Sequence, residues 1–130
     1  MKRVGVLISG RGTNLQALID AETQGKLGGQ IVLVISNKSR AKGLERAKDA
    51  GIKTLVLTKK EYPDRENYDK QLIAVLRQHD VNLVVLAGYM RMLTDHFIAV
   101  FENRIINVHP SLLPSFKGVR AQWQAIDFGV

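Results

Sequence analysis

The stretch "RVGVLISGRGTNLQALIDAE", residues 3–22, changes period halfway through. Its first seven residues are apolar nearly throughout, as in a strand covered on both faces. A polar turn with two glycines follows, and Leu15, Leu18 and Ile19 then recur at helical spacing. A buried strand feeding a helix through a glycine turn is the opening unit of a parallel α/β sheet. The glycines leave backbone N–H groups unobstructed, and the helix start adds a field favourable to an anion. The turn is not a Walker loop, which would end in Gly-Lys-Ser/Thr, and it lacks the full dinucleotide fingerprint. Phosphate binding over Gly12, Thr13 and Asn14 and a plain structural turn both remain open from these residues alone.

The same unit recurs. "QIVLVISN" at 30–37, "IKTLVLT" at 52–58, "VNLVVLAG" at 81–88 and "RIINVH" at 104–109 read as strands. Between them, helices are expected over 41–50, from an Asp64 N-cap through Tyr68, Leu72 and Leu76, and over 94–101; a further helix is expected over 120–129. The strand at 81–88 is the most apolar and is expected at the centre. These elements predict one domain over residues 1–130: an open, mostly parallel, doubly wound, Rossmann-like sheet with helices on both faces. Ligands of such sheets gather at the C-terminal strand ends, beside the point where strand order reverses.

Composition narrows the chemistry. The 130 residues contain no cysteine, so thiolate nucleophiles and thiolate metal sites are excluded. His79, His96 and His109 are too far apart for a local zinc motif, and no metal is expected. The apolar run after Met1 is short and enters a glycine-rich turn, which reads as a strand rather than a signal peptide. No stretch is long enough to cross a bilayer, so a cytoplasmic protein without a membrane partner is expected. The net charge of +7 favours anionic partners. Its cations are scattered and aromatics make up only 6%, which points to phosphorylated small molecules rather than nucleic acid.

Two further strand ends carry reactive or ligand-shaped side chains. In "GYMRML", 88–93, Met90, Met92 and Leu93 offer adaptable apolar surface for a flat heterocycle. Arg91 could pair with a carboxylate or reach solvent, and packing of the next helix is the competing reading for the whole stretch. In "NVHPSLLPSFKG", 107–118, Asn107 and His109 stand two apart on a strand and project to one side. An amide donor and an imidazole suit acyl transfer, one holding a developing oxyanion and the other moving a proton. Pro110 and Pro114 stiffen the chain behind them. No side chain stands out as a covalent nucleophile, so direct transfer between two bound substrates is the simpler scheme.

Together, "VLISGRGTNLQALI", "VISNKSRAKGLERAKDAGI", "VVLAGYMRML" and "IINVHPSLLPSFKG" resemble the phosphoribosylglycinamide formyltransferases among the folate-dependent formyl enzymes. The resemblance implies transfer of a formyl group from 10-formyltetrahydrofolate to glycinamide ribonucleotide in purine synthesis, without a metal. By that likeness Gly12, Thr13 and Asn14 hold the ribonucleotide phosphate. Met90, Arg91, Met92 and Leu93 border the folate, and Asn107 and His109 are catalytic. Arg120 stands where the family usually carries a histidine, and cannot shuttle protons near neutral pH. The family's catalytic aspartate falls beyond residue 130, and Asp127, in the expected last helix, does not replace it. A phosphate- or nucleotide-binding module without catalysis is the alternative for this chain, and a homodimer covering its exposed apolar surface is expected.

Overall fold

A computed structural model describes residues 2–108. Expectations falling on His109, the prolines, Arg120 and the helix at 120–129 lie outside the described residues.

Five strands and four helices alternate: β1 (Lys2–Ile8), α1 (Thr13–Thr23), β2 (Gly29–Ser36), α2 (Gly43–Asp49), β3 (Thr54–Val56), α3 (Arg65–Gln78), β4 (Leu83–Leu86), α4 (Asp95–Val100) and β5 (Ile105–Asn107). The strands pair in parallel in the order β3-β2-β1-β4-β5. Among the described strands β1 is therefore the middle one, with β4, expected at the centre from its apolar content, beside it. β4 is still interior, between β1 and β5, which is why all four of its residues are buried. The chain winds outward from β1 to β3, then returns to the other side of β1. This places the switch point between β1 and β4.

Strand alternation sorts the core into two layers. Val4, Val6 and Ile8 pack with Leu15, Leu18 and Ile19 of α1 and Leu44 and Ala47 of α2. Leu7 packs on the other face with Tyr68, Leu72 and Leu76 of α3 and Phe97 of α4. β2 changes phase against β1: Val4 pairs with Ile31 but Gly5 pairs with Leu33. The extra residue, Val32, lets Ile31 and Val34 join the first layer while Leu33 and Ile35 join the second. At that irregularity the Glu22 carboxylate accepts the Ile31 N–H at 3.1 Å. The expected N-cap at Asp64 holds, its side chain accepting the Asn67 N–H, and Thr94, expected as the first helical residue, is instead the cap of α4 and accepts the Phe97 N–H. β3 is shorter than its apolar run, with only three residues paired to β2 at the sheet edge.

Candidate functional site

The C-terminal ends of β1, β4 and β5 lie side by side, and hydrogen bonds fasten the segments that leave them. Ala87 N–H donates to Leu7 O at 2.9 Å, and Val108 N–H to Leu86 O at 3.1 Å. Ser9 then bridges the switch point itself: its hydroxyl donates to Asn37 Oδ1 and accepts the Met90 N–H at 2.8 Å. The Asn14 amide reaches from the first turn of α1 to Val108 O at 3.4 Å, the carbonyl directly after Asn107. Gly12–Asn14, Met90–Leu93 and Asn107 thus share one edge. His109 is the next residue after Val108 but lies outside the described residues.

Each segment has its own local cause. Gly12 is the N-cap of α1 with φ at +78°, a conformation that L side chains rarely adopt. A Cβ there would fall 2.5 Å from the Cα of Gly43. The backbone of the β1 loop therefore lies directly on the start of α2, and Gly43 N–H donates to Gly10 O at 3.1 Å. No side chain among the described residues caps α1, and its ladder begins with Gln16 N–H on Gly12 O. The N–H groups ahead of Gln16 have no partner within the helix, as at any helix start. Thr13 beside them is exposed.

The loop after β4 is held from below. Gly88 has φ at +73° with open space around a hypothetical Cβ, so backbone conformation rather than crowding by the protein explains it. Asp69, 1% exposed, accepts the Thr94 N–H at 2.8 Å and anchors the loop's far end to α3. Arg65, at the start of α3, donates to Met92 O at 3.3 Å. Met90 and Met92 are 79% and 80% exposed, unlike any other large apolar side chains among the described residues. Leu93 instead packs with Tyr89 against the α3–α4 layer.

Arg91 is not a free arm. Its guanidinium carbon lies 3.8 Å from the centre of the Tyr68 ring, and its Nε is buried without a partner among the described residues. A cation over an aromatic face in a partly dry site is a stabilising contact. The Tyr68 hydroxyl donates to Leu57 O. The neighbouring Tyr89 hydroxyl is buried without a geometrically satisfactory partner among the described residues. Burial pushes both phenols up, Tyr89 far above its ordinary range, because the phenolate would lose its hydration.

A raised folded pKa contributes stability that is complete below the unfolded value of 10.0 and declines as pH rises above it. Tyr89→Phe should be neutral or stabilising by ~1 kcal/mol at pH 7, since it deletes an unsatisfied hydroxyl. It should also lessen the loss of stability above pH 10.0. Urea unfolding at pH 7 and at about pH 10.5 checks both, and a marked loss at pH 7 would show that the hydroxyl is bonded.

The sequence reading overlooked Ser9, Asp69 and Arg65. Ser9 carried a readable signal: it is the polar residue at the end of an apolar run, immediately before glycine. Asp69 sits beside Tyr68 on the apolar face of α3, where an acid needs a buried donor. Arg65 had no signal beyond its place at a helix start. Among the described residues, no group of three or more His, Cys, Asp and Glu could hold a metal, and no helix is long and apolar enough to cross a membrane.

Comparison with known proteins gives this edge a context. Residues 2–130 match the formyl transferase family model. The chain is 51% identical over 130 residues to the trifunctional purine biosynthetic protein adenosine-3 of Drosophila pseudoobscura pseudoobscura, covering 98% of this chain and 10% of that protein. It is 46% identical over 124 residues to the phosphoribosylglycinamide formyltransferase of Escherichia coli K12, covering 95% of this chain and 58% of that protein. The crystal structure of glycinamide ribonucleotide transformylase 1 from Symbiobacterium toebii superposes with a TM-score of 0.81 at 48% identity. It covers 94% of this chain and 57% of that one. The chain thus spans between a tenth and about three fifths of the lengths of these relatives.

Proposed function

Because the chain belongs to the formyl transferase family, we propose that it supplies the ribonucleotide-binding and part of the catalytic edge of a phosphoribosylglycinamide formyltransferase. The observation that carries this reading is the Asn14–Val108 bond, which ties the phosphate-type turn to the strand end bearing Asn107. Two substrates must meet at one point for direct transfer, and a shared sheet edge provides that proximity. Relatives named for the same reaction support the choice of glycinamide ribonucleotide as acceptor.

The ribonucleotide phosphate is assigned to the open N–H groups at Thr13 and Asn14, with Gly12 giving the turn its shape. The folate, 10-formyltetrahydrofolate, supplies the formyl group when bound. The exposed Met90 and Met92 fit such a heterocycle, since they offer pliable apolar surface on a loop fixed by Ser9, Arg65 and Asp69. Arg91 contributes its backbone and the rigidity of its stack on Tyr68 rather than a mobile charge. Asn107 is exposed at the end of β5, where its amide can donate to negative charge developing on the formyl oxygen. His109 is assigned the proton leaving the attacking amine. Purine synthesis in the cytoplasm belongs to the same reading, as does a homodimer, for which the edge strand β3 is a candidate contact.

The test pairs a formyl-transfer assay with binding titrations. The ribonucleotide should bind this chain and lose affinity on Thr13→Ala, while single-stranded RNA should not bind. RNA binding with steep salt dependence, without ribonucleotide binding, would overturn the proposal. Ribonucleotide binding without any transfer, in a chain extended to the relatives' length, would leave a binding module instead.

A further inference from the structure

The two peptide planes just ahead of α1 are gripped from α2. Gly43 N–H donates to Gly10 O at 3.1 Å, and one helical turn further along Arg46 Nε donates to Arg11 O at 2.8 Å. Arg46 also reaches α1 itself, its Nη1 donating to Gln16 Oε1 at 3.4 Å. That acceptor is held in turn, because Gln16 Nε2 donates to Asp20 Oδ1 at 2.9 Å. The half-buried stem of Arg46 runs beside Gly12, with Cδ 3.2 Å from where a Cβ would stand. Leu15 N–H does not reach back to Arg11 O, and the ladder of α1 starts one residue later. Arg46 therefore takes the place on Arg11 O that a helical N–H would otherwise fill.

A trans peptide holds its C=O and its N–H in one plane and in opposite directions. Arg11 O is thus the handle that orients the Gly12 N–H, and Gly10 O orients the Arg11 N–H. With both carbonyls engaged by α2, both N–H groups point away from it, and neither donates to another group among the described residues. Successive N–H groups sharing a side are the elements of an anion-binding concavity. We propose that Arg46 is a positioning residue for the ribonucleotide: by holding Arg11 O toward α2, it keeps the Gly12 N–H turned to the phosphate. The inference rests on the assignment of the phosphate to this turn. Without the guanidinium, the peptide between Arg11 and Gly12 is free to rotate and present its carbonyl to the anion. Gly12, lacking a Cβ, resists that rotation least. The role calls for arginine rather than any cation. A planar fork meets acceptors on both sides of the N-cap, whereas an ammonium is a point charge on a flexible stem.

Titration of this chain with glycinamide ribonucleotide, with the same compound lacking its phosphate, and with inorganic phosphate tests the role. Arg46→Met keeps the aliphatic stem and removes the guanidinium. It should weaken the ribonucleotide and inorganic phosphate about tenfold, and the unphosphorylated compound hardly at all. Arg46→Lys keeps the charge and should lose most of the same factor. A partly unfolded variant would weaken every ligand by one common factor, so the ratio of phosphorylated to unphosphorylated affinity is insensitive to stability. The Gly12 amide resonance gives a second reading: saturating phosphate should shift it in the wild-type chain and shift it less in Arg46→Met. An unshifted resonance in the wild-type chain would overturn the phosphate assignment and this inference with it. A wild-type shift, with Arg46→Met binding phosphate as tightly, would overturn the role of Arg46 alone. So would full wild-type affinity in Arg46→Lys, which would make charge rather than the bond the cause, or equal loss of the phosphorylated and unphosphorylated compounds.

Discussion

Gly12→Val is expected to destabilise the domain by ~3–5 kcal/mol, a sizeable part of the stability of a small domain. Two costs combine. A β-branched residue at φ +78° is strained by ~1–3 kcal/mol. Overpacking in a closed contact adds about as much, because the new Cβ would meet the Cα of Gly43 at 2.5 Å. The neighbour there is backbone, with no side chain to rotate away, so α2 or the loop must shift. Gly25→Ala is the control, since Gly25 has φ +72° and nothing within 4 Å of a Cβ. It should cost ~1 kcal/mol from the backbone alone. Urea denaturation of both variants separates strain from contact, and equal losses would mean that the Gly12–Gly43 approach is relaxed in solution.

That result bears on how the glycine turn is understood. From sequence, Gly12 suggested a phosphate cradle or a plain turn. The structure gives it a packing duty that acts before any ligand arrives, through a residue 31 positions away in the chain. Loss of ribonucleotide binding in Gly12→Val would therefore mix a distorted loop with a lost contact. Thr13→Ala, at an exposed side chain outside that contact, is the cleaner probe.

The fold was legible because each strand here is short, apolar and bounded by a helical period, and because parallel strands buried on both faces leave that pattern unbroken. The cap at Asp64 marked a helix start through a local hydrogen bond. What sequence could not rank was strand position. β1 and β4 are both apolar, and the pairing that puts β1 in the middle depends on which side of it the chain returns. The site divides in the same way. Asn14, Met90 and Asn107 stood out by residue type, whereas the bonds that gather them run from Ser9 to Met90 and from Asn14 to Val108, across 81 and 94 residues. The alternatives left open for Arg91, a carboxylate, solvent or packing, could not be ranked for a related reason: its partner is the face of Tyr68, contributed by α3.

Asn107→Ala, made in a chain extended to the full length of the formyltransferase relatives, is expected to lower turnover about a hundredfold with little change in ribonucleotide affinity. The residue sits at the last paired position of β5, opposite Leu86, and is exposed where Ile105 and Ile106 before it are buried. Its side chain therefore contributes little to the core, and truncation should leave the unfolding midpoint nearly unchanged. In the proposed role the amide acts on charge that develops only during transfer, so kcat should fall while KM for the ribonucleotide holds. Asn107→Asp sharpens the test. It keeps the shape but places a carboxylate beside the developing oxyanion, and should be slower than the alanine variant above the carboxylate's pKa. His109→Ala, which would remove the proposed proton acceptor, should likewise depress turnover. Asn14→Ala offers an independent check on the geometry, because it removes the amide that holds Val108 O between these two residues. If that bond positions the strand end, Asn14→Ala lowers kcat in the Asn107-containing enzyme but adds little once Asn107 is already alanine. Full additivity of the two substitutions, or near-normal turnover in Asn107→Ala, would remove the β5 end from the catalytic edge.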